Sequence, residues 1–260
     1  FSVGESTAAA KWSRRGKTVS ALFVVFFLVW LLLPALLVLS CIYDAVRDRN
    51  FSNTRLILFG AWWLAMEVLG VTAAFLLWLA FGPLRQLASL KCRRWHSRLQ
   101  YVWARGLTSG AQRTIGLRWS TEGIGCLHSK GPLIILARHG SQGDALLTAA
   151  LLSNEGRRLR FVLKKQLLGD PCLDIVGHRI PNYFVDRDSL DNREELVNIG
   201  LLASGLADDE ALVIFPEGTR FSALKLAKAV HTVAQKTPSR AASTGRLQSV
   251  LPIRPAGTLA

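Results

Sequence analysis

The stretch Leu133-Ile134-Ile135-Leu136-Ala137-Arg138-His139-Gly140-Ser141-Gln142-Gly143-Asp144 decides the fold, together with the apolar-rich residues 145–152 that follow it. A short apolar run gives way to a polar cluster and then to a helical pattern, which reads as strand, loop and helix. The same order returns downstream. Runs 132–137, 160–163, 183–185, 211–215 and 249–253 read as buried strands, and 145–152, 193–206 and 223–234 read as helices between them. Strand–helix alternation predicts an α/β domain over 121–260, a mostly parallel sheet flanked by helices.

The residues ahead of this domain are of another kind. Half of the 260 residues are apolar, and 32 Lys and Arg face 18 Asp and Glu, a net charge of +14. Such a chain is too apolar to be disordered, and its sign calls for an anionic partner: nucleic acid, a phospholipid surface or a phosphorylated substrate. Residues 18–43 contain no charge, and 56–84 contain only Glu67. At about 1.5 Å per residue, each run can cross a hydrocarbon core of about 30 Å. A two-helix transmembrane hairpin over 18–84 follows, with a shallow re-entrant hairpin as the alternative. A cleaved signal peptide fits poorly, because the run is too long and a second one follows. Glu67 reads as neutral or tucked against the partner helix, with a functional intramembrane carboxylate as the alternative.

Basic residues orient the hairpin. Residues 1–17 form a basic tail with Lys11, Arg14, Arg15 and Lys17, and residues 82–119 hold eight Lys or Arg and no acid. The positive-inside rule puts both ends in the cytoplasm and the short loop outside, so the α/β domain is expected on the cytoplasmic face of the cell (inner) membrane. Within the segment 85–120, a helix over 84–105 repeats Leu84, Ala88, Cys92, Trp95, Leu99 and Val102 at helical spacing. Its basic residues fall mainly elsewhere, as in an interfacial helix with Trp95 and Trp103 at the headgroups. Nucleic acid would use the same charges, or the basic run 157–165, but adjacency to the spans favours lipid. The four cysteines show no metal-ligand or disulfide spacing, so no metal is expected.

Three strands end in chemistry. His139 and Asp144 follow the first, Asp186-Arg187 the third, and Pro216-Glu217-Gly218-Thr219-Arg220 the fourth. Ligands of open α/β sheets bind beyond the carboxyl ends of the strands, so these clusters are candidates for one site. With His139 in the turn and Asp144 in the first helical turn, the carboxylate can orient the imidazole as a general base. Ser141 and Asp144 also match a helix capping box. Gly218, Thr219 and Arg220 suit an anion, with Arg187 as a second fork and Glu217 paired with one of the arginines. The sequence lacks a Gly-x-Ser-x-Gly elbow, a P-loop and His-Glu-x-x-His.

These motifs together resemble the glycerolipid acyltransferases of the lysophosphatidic acid acyltransferase (PlsC-like) type. His139 to Asp144 looks like that family's His-x4-Asp motif and 183–187 like its second. Phe215-Pro216-Glu217-Gly218-Thr219-Arg220 matches its third, and Val250-Leu251-Pro252-Ile253 is similar to its fourth. The resemblance implies acyl transfer from acyl-CoA or acyl carrier protein to lysophosphatidic acid, with the thioester as co-substrate and no cofactor or metal. His139 would be the base, Asp144 its orienter, and Arg187, Thr219 and Arg220 the phosphate holders, with Glu217 and Gly218 shaping the turn. Its partners would be the phospholipid membrane, the acyl carrier and the lyso-acceptor, and not nucleic acid. Ala137-Arg138 departs from the small residue and Asn that many relatives place before the His, which bears on acceptor preference. The start at Phe1 and the stop after the fourth motif suggest a trimmed chain. The rivals are an acyltransferase for another lysophospholipid or aminolipid, and a catalytically dead, membrane-anchored binder of anionic lipid.

Overall fold

The computed structural model of the chain describes residues 8–141, 143–185, 192–236 and 238–252. Two helices come first, α1 (Ala8–Val46) and α2 (Ser52–Phe81), packed side by side. Both are long and apolar enough to cross a membrane. Phe27, Leu31, Leu39, Phe75 and Leu76 are more than half exposed on them, an apolar surface that the described residues leave uncovered. Asp44 closes the hairpin turn. Its carboxylate accepts from Asn53 Nδ2 at 2.6 Å, the Thr54 N–H at 2.8 Å and the Thr54 hydroxyl at 2.9 Å. A residue of α1 thus satisfies one of the unpaired donors in the first turn of α2.

Pro83 and Arg85, the latter in the left-handed region at φ 54°, separate the second span from α3 (Leu90–Thr114). The Ser89 hydroxyl caps α3 by accepting the Cys92 N–H at 3.2 Å. This helix begins later than the expected 84–105 and runs nine residues further. Its contact face also differs from the predicted stripe. Trp95 and Val102 are half exposed, whereas Cys92, His96, Ala104, Leu107 and Ala111 are buried and Trp103 turns inward. The face is set by missing side chains. A Cβ on Gly110 would stand 2.1 Å from Trp62 Cδ1, and one on Gly106 2.4 Å from Met66 Cε. Trp62 Nε1 donates to the Gly106 carbonyl at 2.9 Å, sealing the approach of α2.

The α/β layer runs β1 (Leu133–Leu136), α4 (Asp144–Asn154), β2 (Arg158–Lys164), α5 (Pro171–Gly177), β3 (Tyr183–Val185), α6 (Asn192–Ala203), β4 (Glu210–Ile214), α7 (Ala223–Lys236) and the short α8 (Ala241–Thr244). The four strands are parallel in the order β1-β4-β2-β3. One face packs Phe161 and Val213 against Ala104 of α3 and Ala149 and Leu152 of α4. The other packs Tyr183 and Leu212 against Ile199 and Leu202 of α6. β4, at the centre of this packing, is buried along its whole length, whereas β1 leaves Ile134 and Leu136 exposed on one face and β2 alternates Arg158 and Arg160 with buried Leu159 and Phe161. The expected strand over 249–253 is not formed in residues 249–252, and Ile253 lies outside the described residues. Pro252 has no N–H to give a ladder, and the Leu251 N–H is taken by the Glu217 carboxylate at 3.2 Å.

α5 wedges the α/β layer against the hairpin. Asp170 caps it, accepting the Leu173 N–H at 2.9 Å, and Pro171 sits at its first position. Cys172 and Val176 pack with Leu22, Val71 and Ala74. The Asp174 carboxylate, fully buried, meets Arg14 Nη2 and Arg15 Nη2 at 2.9 Å each and His178 Nδ1 at 3.0 Å. Two arginines of the basic tail, used above to orient the hairpin, therefore bind the protein itself. At the amino ends of the strands, buried Arg157 donates to the carbonyls of Leu127, Ser129, Gly131 and Asp208.

Candidate active site

The loop after β1 is carried by β4. Ala137 continues the ladder, its N–H donating to the Ile214 carbonyl at 2.9 Å. The His139 carbonyl accepts the Phe221 N–H at 2.9 Å, and its own N–H points to Glu217 Oε1 at 3.5 Å. The imidazole lies against the Phe215 ring, with centroids 5.0 Å apart. Asp144, the first residue of α4, places Oδ2 3.7 Å from His139 Nδ1. That is longer than a hydrogen bond, and Nδ1 is buried without a hydrogen-bond partner among the described residues. Catalytic hydrogen bonds often tighten only once substrate is bound.

Asp144 is prepared for this pairing. Burial alone would raise its pKa, but bonds from the Ser141 hydroxyl and N–H, then the Gly140 N–H and the nearby His139 ring, outweigh it and hold the carboxyl below its ordinary range. The Ser141 N–H and hydroxyl reach the carboxylate at 2.6 and 2.5 Å. Half of the expected capping box is therefore present, and the same carboxylate also faces the imidazole. Gly143 sits at φ −75°, an ordinary helical value, so this backbone does not depend on glycine there. Gly218 does need to be glycine: its φ is 70°, and its N–H closes the turn onto the Phe215 carbonyl at 2.9 Å.

Glu217 is turned inward and buried. It holds the His139 and Leu251 backbones and lies 3.5 Å from Arg138 Nε, so among the described residues its salt-bridge partner is Arg138 rather than Arg220. Arg138 also donates to the Ser249 carbonyl. Arg220 is exposed at the edge, and the Thr219 hydroxyl accepts from Lys225 Nζ at 3.0 Å. The structure thus brings together His139, Asp144, Glu217, Gly218, Thr219 and Arg220. Arg187 and Asp186 lie outside the described residues. Lys225 was missed in the sequence, since it reads as one more exposed helical lysine. Its only signal is Ser222, which caps α7 by accepting the Lys225 N–H at 3.2 Å and so fixes where the first turn lies.

A cavity of about 560 Å³ opens beside His139. Phe215, Gly218 and Arg220 stand at its polar edge, Leu146, Ala149 and Phe161 form an apolar wall, and Trp63 and Trp103 bring in the hairpin side. Its volume lies within the roughly 300–1,000 Å³ of ligand pockets. Among the described residues, no cluster of three or more His, Cys, Asp or Glu side chains could hold a metal ion.

The family model described as Acyltransferase matches residues 119–250, just over half of the chain. The chain belongs to this PlsC-like acyltransferase family. No curated protein and no solved structure matches it. The acyltransferase match contains the whole His139–Asp144 loop, all four strands and the 215–220 turn, while the hairpin and α3 lie ahead of it.

Proposed function

We propose that this acyltransferase is anchored in the cell (inner) membrane and moves a fatty acyl group from acyl-CoA or acyl carrier protein to lysophosphatidic acid, giving phosphatidic acid. The observation that carries this is the placement of His139 between an apolar cavity walled partly by the hairpin side and a turn bearing Arg220, Thr219 and Lys225. An acyl chain fits the first and a phosphate the second.

In the reaction, Asp144 orients the imidazole, and the ring nitrogen that does not face Asp144 takes the proton of the acceptor hydroxyl. That oxygen bonds to the thioester carbonyl carbon, the C–S bond breaks, and the thiolate leaves with the proton held on the imidazolium. The thioester is already activated, so direct attack needs no nucleophile from the protein. Arg220, Thr219 and Lys225 hold the acceptor phosphate, with Arg187 as a further fork and Glu217 and Gly218 keeping the turn. Both chain ends face the cytoplasm. Exposed Cys126 reports this: it should react with an impermeant maleimide only after the inner membrane is opened.

A thiol-release assay with palmitoyl-CoA and lysophosphatidic acid tests the activity, with acyl carrier protein as the alternative donor. Release that depends on the acceptor supports it, and none with either donor overturns it. A second acceptor class, another lysophospholipid or an aminolipid, is favoured by Arg138. Its side chain is 60% exposed at this edge, a cation that one phosphate does not require. Faster transfer to such an acceptor in a panel decides between them.

A further inference from the structure

The cavity beside His139 is apolar along the sheet but not along the hairpin side. Trp63 of α2, Gln100 and Trp103 of α3, and Asp170 line that side. Glu67 is only 4% exposed, with its carboxyl toward Asp170, Trp103 and Trp63. The Asp170 carboxyl and the Trp103 and Trp63 indoles are within polar reach of it, but none meets full hydrogen-bond geometry. Among the described residues, neither Glu67 carboxyl oxygen, nor Gln100 Oε1, nor Trp103 Nε1 has a hydrogen-bond partner. Folded proteins leave few buried polar atoms in that condition, and His139 Nδ1, in the same cavity, is another.

Besides the Trp63 indole, the wall offers an unpartnered donor, the Trp103 indole N–H, beside the Gln100 amide, with the Glu67 carboxyl next to it. A plain hydrocarbon chain satisfies none of them. A second anion would be buried there with no cation among these residues to pair it. A hydroxyl answers both needs: its oxygen accepts from the indole, and its proton goes to Gln100 or Glu67. It also suits either orientation of the Gln100 amide, since it can donate or accept. We propose that this wall is a subsite for a hydroxyl carried on the acyl chain, so that the enzyme selects hydroxyacyl donors over unsubstituted ones. This rests on the acyl chain occupying the cavity, as proposed above.

The test uses the full chain in nanodiscs and a fluorescent fatty acid as the displaceable probe. Palmitoyl-CoA competes against hydroxypalmitoyl-CoA isomers substituted near the thioester, at mid-chain and at the methyl end. At least one isomer should displace the probe about tenfold more tightly than palmitoyl-CoA, since sites that hydrogen-bond a hydroxyl reject the analogue lacking it. Trp103→Phe keeps the ring and removes the N–H, and Gln100→Leu removes the amide. Each should bring the ratio close to one. Equal affinity across the native panel, or a ratio unchanged in both variants, overturns the subsite. Thiol release with lysophosphatidic acid is followed in the same samples. A hydroxyl preference without any release would count against the proposed reaction and leave the subsite standing.

Discussion

Asp170 and Asp174 stand one helical turn apart on the same wedge, and the protein treats them in opposite ways. Asp174 is buried, which by itself would raise its pKa, but His178, Arg15 and Arg14 pull it well below the usual carboxylate range. Asp170 is pushed up by burial, its helix-end N–H bonds with Leu173 and Cys172 offset only in part, and it faces the carboxyl of Glu67. At Asp174, where a buried charge joins two parts of the chain, both carboxylate oxygens are paired. Around the cavity, several polar atoms are left unmet. Single unmet atoms also occur elsewhere among the described residues, at His96 Nε2 and Arg160 Nε, so the separation lies in their clustering around one space.

The strongest way to break that separation is at its two extremes. Replacing His139 with Ala should lower acyl transfer by about 10²- to 10⁴-fold, the usual worth of a general base, with thermal unfolding unchanged. A parallel loss of stability would make His139 a structural residue. Asp174→Ala should do the reverse. It leaves Arg14 and Arg15 facing an empty buried site, at a cost of about 3–5 kcal/mol in denaturant unfolding, while folded protein keeps its affinity for acyl-CoA.

Acidification sharpens the contrast by sign. The Asp174 carboxyl titrates lower in the folded chain than in the unfolded one, so its stabilisation is whole above the unfolded pKa of about 3.9 and is lost as pH falls further. Asp170 titrates higher when folded, so its contribution falls as pH rises from about 3.9 through the folded value. Unfolding curves of Asp174→Asn should therefore lose the steep acid limb, and those of Asp170→Asn should lose the opposing one. The smallest effect is expected at Lys225, which is exposed beside Thr219. Lys225→Ala should raise KM for the phosphorylated acceptor about two- to fivefold with kcat unchanged, the scale of an exposed ion pair.

The sheet and the candidate-site loops were legible because their signals are local. Apolar runs ending in polar clusters gave the four strands to within a few residues; His139 and Asp144 are five residues apart and 215–220 is one continuous run, so each half of the site reads by itself although some 70 residues separate them. The hairpin's apolar helices were equally plain. What could not be read depends on distant partners. α5 is too short to show a period, and its Asp174 has meaning only with Arg14 and Arg15, some 160 residues away. The contact face of α3 is made by Gly106 and Gly110, which a hydrophobicity pattern counts as blanks. Gln100 and Trp103 look like surface and interfacial residues until α2 and the sheet close over them.

Arg157 carries a different consequence. From the residue just before β2, its guanidinium ties three carbonyls of the loop that enters β1 and one of the loop that enters β4, at the end of the sheet away from His139. Lysine has one nitrogen and no planar fork, and cannot reproduce that set. Amide protons around residues 127–131, although in a surface loop, should exchange with deuterium as slowly as those of the strands, because opening there requires all four bonds to go at once. The slow-opening end of this sheet is then the one away from the candidate site, which leaves the His139 end free to adjust.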